Sequence, residues 1–234
     1  MEQAVLQTPE TDNLAHPWQR ITVGSGLTLH APADLRLDAA ALQAEFAALD
    51  AALPQEERGH YQNGVGEGWT SIALLQHPRE GSSSGLKGTP RPALDFMPSL
   101  RALLNRPGWV AWGCDVLRQA PQGTLAWHAE PQALHLEHFR MLIPIHAPAG
   151  AVTLLGHESA AYPEGQAWTG DFCFPHQVEN FTDRERIVVA VDLLVTPEVR
   201  ALFPAALAED VPQRTELASE ANRAMRAWLD GAAA

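Results

Sequence analysis

The sequence predicts a mainly β fold with flanking helices. Three observations predict it. Beyond Trp109, short apolar runs follow one another: WVAWGCDVL, GTLAWHAE, ALHLEHFRMLIPI, AVTLLGHE, DFCF and RIVVAVDLLV. Turn-forming residues separate them, at Pro121–Gly123, Pro148–Gly150, Pro163–Gly165 and Thr169-Gly170. Helical periodicity is confined to the regions on either side. Short strands at this spacing build a sandwich, a barrel or a jelly roll.

The elements follow in order. Residues 1–15 are polar and aperiodic, and are expected to form a loose arm. Leu37 to Leu53 carries apolar residues at helical spacing (Leu42, Phe46, Leu49, Leu53), with Asp38 to cap its start and Pro54 to end it. GWTSIALLQ, from Gly68 to Gln76, reads as a buried strand. Arg79 to Pro92 is rich in Gly, Ser and Pro, the composition of a mobile loop. A second helix is expected from Pro98 to Leu104, stopped by Pro107-Gly108. Residues 110–197 hold the β core. The tail is a C-terminal helix within residues 213–234, most clearly amphipathic from Thr215 to Leu229. Nothing in the composition marks a boundary, so residues 1–234 are expected to form one domain.

Composition narrows the function. The 234 residues carry 28 acidic and 16 basic side chains, a net charge of −12, and Lys87 is the only lysine. That field argues against nucleic acid, which needs a clustered basic surface. Two cysteines, Cys114 and Cys173, form no C-x-x-C pair and are too few for a disulfide scaffold, so a reducing cytoplasm is expected. The first 14 residues have no apolar signal core, and no apolar run reaches the roughly 18 residues that span a bilayer.

The chemistry lies in His128-Ala129-Glu130, with His176 46 positions after Glu130. Two His and one carboxylate on one face hold Fe(II) in non-haem iron enzymes and leave positions open. Residues i and i+2 of a strand point the same way, so H-x-E can reach one ion. Alone the motif is weak. With 10 His and 28 acids in this length, about one H-x-[D/E] arises by chance, and His135-Leu136-Glu137 is a second.

The surrounding segments are similar to the aspartyl/asparaginyl β-hydroxylase family. LRQAPQGTLAWHAE, from Leu117 to Glu130, resembles the family's turn and strand ending in the first iron-binding His. Arg140-Met141-Leu142-Ile143-Pro144-Ile145 resembles its R-x-H-I-P-L strand, and Trp168-Thr169-Gly170-Asp171-Phe172 its W-x-x-G segment leading into a strand. Pro175-His176-Gln177-Val178-Glu179-Asn180 resembles the segment carrying the distal His, and Arg186 follows His176 by 10 positions. GWTSIALL is a further, less distinctive likeness.

The resemblance implies a double-stranded β-helix (jelly roll, cupin-like) that uses Fe(II), with 2-oxoglutarate and O₂ as co-substrates. It implies His128, Glu130 and His176 as metal ligands and as the catalytic set. It implies Arg186 as the partner of the far carboxylate of 2-oxoglutarate, through its guanidinium fork. The competing reading of Arg186 is a salt bridge with Asp183 or Glu185. Strand alternation puts His138, Arg140 and Leu142 on one face and His135, Glu137 and Phe139 on the other. With Arg140 inward as in the family, His135 and Glu137 point out, and Arg140 and His138 become candidates for the substrate's carboxylate. Two departures stand out. Leu142 replaces the His of R-x-H, which leaves a second co-substrate contact unassigned. Glu130 stands where relatives carry Asp or no carboxylate, and a carboxylate there disfavours halogenation.

The expected activity is hydroxylation of an amino acid, free or carrier-bound, by a 2-oxoglutarate-dependent dioxygenase. The alternatives are a cupin-type metal isomerase or hydrolase, and a non-catalytic cupin-like binding protein.

Overall fold

The computed structural model describes residues 14–53, 68–78 and 87–232. Helix α1 (Pro17–Ile21) is followed by β1 (His30–Arg36), α2 (Ala39–Ala52), β2 (Trp69–Gln76) and β3 (Thr89–Pro90). A short 3₁₀ turn (Pro92–Phe96) and α3 (Pro98–Leu104) lead into β4 (Ala111–Gln119), β5 (Gly123–His128), β6 (His138–His146), β7 (Ala151–Leu155) and β8 (Glu158–Ala160). Then come β9 (Gln166–Gly170), β10 (His176–Asn180), β11 (Arg186–Leu194), α4 (Pro197–Arg200) and α5 (Val211–Ala232).

The strands form two antiparallel sheets. The larger has the order β1-β9-β6-β11-β4-β2-β3 and the smaller β5-β10-β7-β8. This is a jelly roll. Its cores follow from strand parity. On the outer face of the large sheet, Phe139, Met141, Ile143 and Ile145 of β6 join Ile187, Val189, Val191 and Leu193 of β11 in one cluster with Leu42, Phe46 and Leu49 of α2. The opposite face presents Leu142, Val188 and Ala190 to a second cluster that includes Phe172 and Phe174. Each fully buried Val or Leu there contributes about 1.5–3 kcal/mol. β11 lies between β6 and β4 and is covered on both faces, which is why RIVVAVDLL reads as a continuous apolar run rather than an alternating one.

Local chemistry explains the ends of several elements. The Asp38 side chain accepts from the Ala41 N–H at 3.1 Å, so the expected cap is formed and α2 begins at Ala39 rather than Leu37. Pro54 lies outside the described residues. At the Pro163–Gly165 turn, Gly165 has φ +78°, and a Cβ there would stand 2.3 Å from the Leu37 carbonyl oxygen. Only glycine fits that position.

Several boundaries differ from the sequence reading. Leu14, expected in the loose arm, is buried, and α1 beyond it was not anticipated; residues 1–13 lie outside the described residues. The expected mobile loop 79–92 ends in a strand and a 3₁₀ turn, because β3 pairs with β2; residues 79–86 lie outside the described residues. DFCF is a turn and not a strand, tied by Asp171 accepting from the Phe174 N–H. β6 starts only at His138, so ALHLE precedes it as a turn. The tail helix starts earlier than expected, at Val211. Among the described residues no helix is long and apolar enough to cross a membrane.

Candidate metal centre

β5 and β10 run antiparallel, and their ends place His128 directly opposite His176. The two rings lie 4.1 Å apart between centroids. Each ring is aimed the same way. His128 Nδ1 donates to the carbonyl of Ala126 at 2.8 Å, and His176 Nδ1 to that of Phe174 at 3.1 Å. A carbonyl only accepts, so both protons sit on Nδ1 and both Nε2 lone pairs are left for a metal. Burial, and then the neighbouring His128 ring, hold His176 down at about 3. It is therefore a neutral imidazole at any working pH, as a ligand must be.

Glu130 lies past the end of β5, so strand alternation does not aim it. Its N–H donates to the Phe172 carbonyl at 2.9 Å, which brings it back over the histidines. Ligand atoms of His128, Glu130 and His176 all lie within 4.8 Å of one another. Two imidazoles and one carboxylate on one side of a point fit the donor set of Fe(II).

Arg140 holds the carboxylate. Its Nη1 donates to Glu130 Oε2 at 2.8 Å, and its Nε donates to Asp192 Oδ1, also at 2.8 Å. Asp192 stands opposite Arg140 in the β6–β11 ladder and takes a further bond from Gln132 at 3.2 Å. Asp192 went unnoticed in the sequence. A lone acid inside a strand buried on both faces was the signal, because a charge there requires a partner.

Arg186 opens β11 on the inward face, opposite Gln119, which in turn faces Trp69. It is 8% exposed, and its Nη2 donates to Thr153 Oγ1 at 3.2 Å. Among the described residues it forms no ion pair. Glu185, one of its two suggested partners, turns to the other side of the strand and takes three bonds from Arg118. Burial pushes the Arg186 guanidinium down to about 10.

One cleft is lined by His128, Glu130, His176, Arg140 and Arg186, with Leu117, Leu142 and Val188 as apolar wall. Two polar groups missed in the sequence share it. Thr153 holds Arg186, and the Trp69 Nε1–H is buried with no partner among the described residues. Leu142, in place of the His of the resembled R-x-H strand, contributes only apolar wall here. His138 is on the Arg140 face of β6 but does not line this cleft; its ring packs on Trp112, centroids 5.2 Å apart. The parity expected for His135 and Glu137 fails, because neither is on a strand. Glu137 is exposed, but the His135 side chain is 4% exposed and lies against Asp171.

A jelly roll with such a cleft defines a class, that of the 2-oxoglutarate/Fe(II) oxygenases and cupins. A crystal structure of an oxidoreductase of the 2OG-Fe(II) oxygenase family from Burkholderia pseudomallei superposes with TM-score 0.51 at 14% identity, covering 80% of this chain and 93% of that one. A non-heme α-ketoglutarate-dependent carbocyclase of nogalamycin biosynthesis gives 0.49 at 13% identity, over 78% and 85%. A Pseudomonas putida prolyl-4-hydroxylase gives 0.42 at 13%, over 76% and 98%. No curated protein matches the sequence. The family model for aspartyl/asparaginyl β-hydroxylase matches residues 34–196. The chain belongs to that family.

Proposed function

We propose that this chain is an Fe(II)/2-oxoglutarate-dependent dioxygenase that hydroxylates an amino acid or an amino-acid-derived substrate. The observation that carries the reading is Arg186, a buried cation without a carboxylate partner among the described residues, in the same cleft as the His128–His176 pair and Glu130. A buried guanidinium without an anion is costly, and a dicarboxylate co-substrate removes that cost.

In this reading His128, Glu130 and His176 hold Fe(II). The iron supplies activation of O₂, coupled to oxidation of 2-oxoglutarate. The chain's own residues orient and insulate. Arg186 grips the far carboxylate of 2-oxoglutarate, steadied by Thr153. The Trp69 N–H donates to the same co-substrate and fills the part left open by Leu142. Leu117, Leu142 and Val188 keep water from the reacting centre. Arg140, locked between Asp192 and Glu130, fixes the metal carboxylate. With His138 beyond it, Arg140 forms the side that meets the substrate. Both cysteines are free, which fits a reducing cytoplasm.

The test is anaerobic addition of Fe(II) and 2-oxoglutarate, read as a metal-to-ligand charge-transfer band, followed by co-substrate consumption in air with each proteinogenic amino acid and mass spectrometry of the products. His176→Ala is expected to lose the band and the turnover while staying folded. Consumption of 2-oxoglutarate by His176→Ala at the wild-type rate sinks the metal assignment. Metal binding without any band or turnover favours the cupin-type isomerase or hydrolase.

A further inference from the structure

We propose a second metal site, for a thiolate-seeking divalent ion such as Zn²⁺, formed by His135, Asp171 and Cys173. Their ligand atoms lie within 4.8 Å of one another. The site does not depend on the oxygenase reading.

The His135 side chain is 4% exposed, yet its Nδ1 is buried without a hydrogen-bond partner among the described residues. It stands 3.6 Å from Asp171 Oδ2. That is too long for a hydrogen bond. It suits two ligands of one tetrahedral ion, which stand about 3.3–3.6 Å apart when metal–ligand distances are about 2.0–2.3 Å. A buried ring nitrogen left unpaired normally costs stability, and a cation between the two groups satisfies it. Cys173 supplies sulfur from the far side of Phe172, and its thiol is half-buried. His135 and Cys173 both line a cleft open to solvent beside α5, which gives the ion an entry path and leaves the fourth position to water.

Arg214 is the opposing feature. It is buried and donates to Asp171 Oδ2 at 3.0 Å, and to the carbonyls of Thr28, Ala206 and Glu209. Its charge is already matched to Asp171. The charge that attracts a metal must therefore come from Cys173, whose thiol gives up its proton to become the ligand. Binding releases that proton to solvent, so affinity rises with pH, and hard ions with no taste for sulfur are disfavoured. The site abuts the first centre. Asp171 and Cys173 flank Phe172, whose ring lies 4.9 Å from that of His176 and whose carbonyl holds the Glu130 N–H. A metal here ties down the turn that positions Glu130.

The experiment is anaerobic Co(II) titration of the full chain. Two equivalents are expected, one with a thiolate-to-cobalt charge-transfer band in the near ultraviolet. Cys173→Ser loses the band and one equivalent, Cys114→Ser keeps both, and His176→Ala keeps the band while losing the other equivalent. No band in the wild-type chain overturns the proposal, as does a band that survives Cys173→Ser. If Cys173→Ser does not fold, His135→Gln replaces it. That variant should bind the band-forming cobalt about tenfold more weakly or worse, and unchanged affinity overturns the proposal equally.

Discussion

Replacing Arg186 separates a ligand-binding cation from a structural one. Its folded environment brings the guanidinium from 12.5 to about 10 through burial. At about 1.4 kcal/mol per pH unit, the uncompensated charge costs about 3 kcal/mol. A bound carboxylate recovers a cost of that size. Truncating one partner of a buried, hydrogen-bonded charge pair typically loses about 2–5 kcal/mol, or roughly 30- to 3,000-fold in affinity. Arg186→Met is therefore expected to weaken 2-oxoglutarate by about a hundredfold. Arg186→Lys restores charge without the fork and recovers only part of this. Fe(II) affinity changes little, since the three candidate ligands are untouched. Stability moves the other way from an ordinary ion-pair deletion. With no ionic partner left behind, and Thr153 able to turn its hydroxyl elsewhere, Arg186→Met should unfold at the same temperature as the wild-type chain, or higher, when co-substrate is absent. The assay is apparent 2-oxoglutarate affinity and thermal unfolding of all three proteins, with and without co-substrate. Unchanged affinity together with a lowered melting temperature in Arg186→Met would refute the reasoning and make Arg186 a structural residue.

Glu130→Ala should weaken Fe(II) by about tenfold or more and cut turnover, whereas Glu137→Ala, exposed on a turn, should leave both unchanged; equal losses in the two variants would sink the assignment of Glu130. Trp69→Phe removes an N–H that has no partner in the described structure. It should leave the melting temperature alone while weakening 2-oxoglutarate roughly 10- to 100-fold, the worth of about 1.5–3 kcal/mol for a hydrogen bond to a charged group. A pH dependence comes from Glu158, which burial raises from 4.5 to about 7. The folded state keeps that proton where the unfolded state has lost it, so stability falls as pH rises from about 4.5 to 7 and levels off above. Glu158→Gln lacks this penalty. Its urea-unfolding free energy should match wild type near pH 4.5 and exceed it by up to about 3 kcal/mol above pH 7; a difference that does not grow with pH would count against the burial argument.

The β core was legible because turn residues punctuate it and because the H-x-E, R-x-x-I-P and distal-His segments keep their order. Helix α3 was legible to the residue, with Pro98 at its start and Pro107-Gly108 beyond its end. His135 was not. Its placement depends on where β6 begins, and apolar spacing alone extends that strand backward through ALHLE. The same ambiguity hid the role of the Asp171–Cys173 turn, whose apolar residues imitate a strand. Trp69 and Thr153 were hidden for another reason. Thr153 reaches Arg186 from the smaller sheet and Trp69 from two strands away in the larger one, and no local pattern records which strands will stand side by side or face each other. Asp192 could have been found by asking what neutralises an acid within RIVVAVDLLV.

The pairing of His128 with His176 has a kinetic side. The two residues are far apart in the chain and meet only when β10 is laid between β5 and β7 in the correct register. A slip of one residue would turn His176 to the other side of its sheet. Contacts of such long sequence separation form late, after the loop-closing entropy has been overcome. If these histidines hold the iron as proposed, its capture follows completion of the smaller sheet, and the fraction of molecules able to take up metal reports how many have completed it.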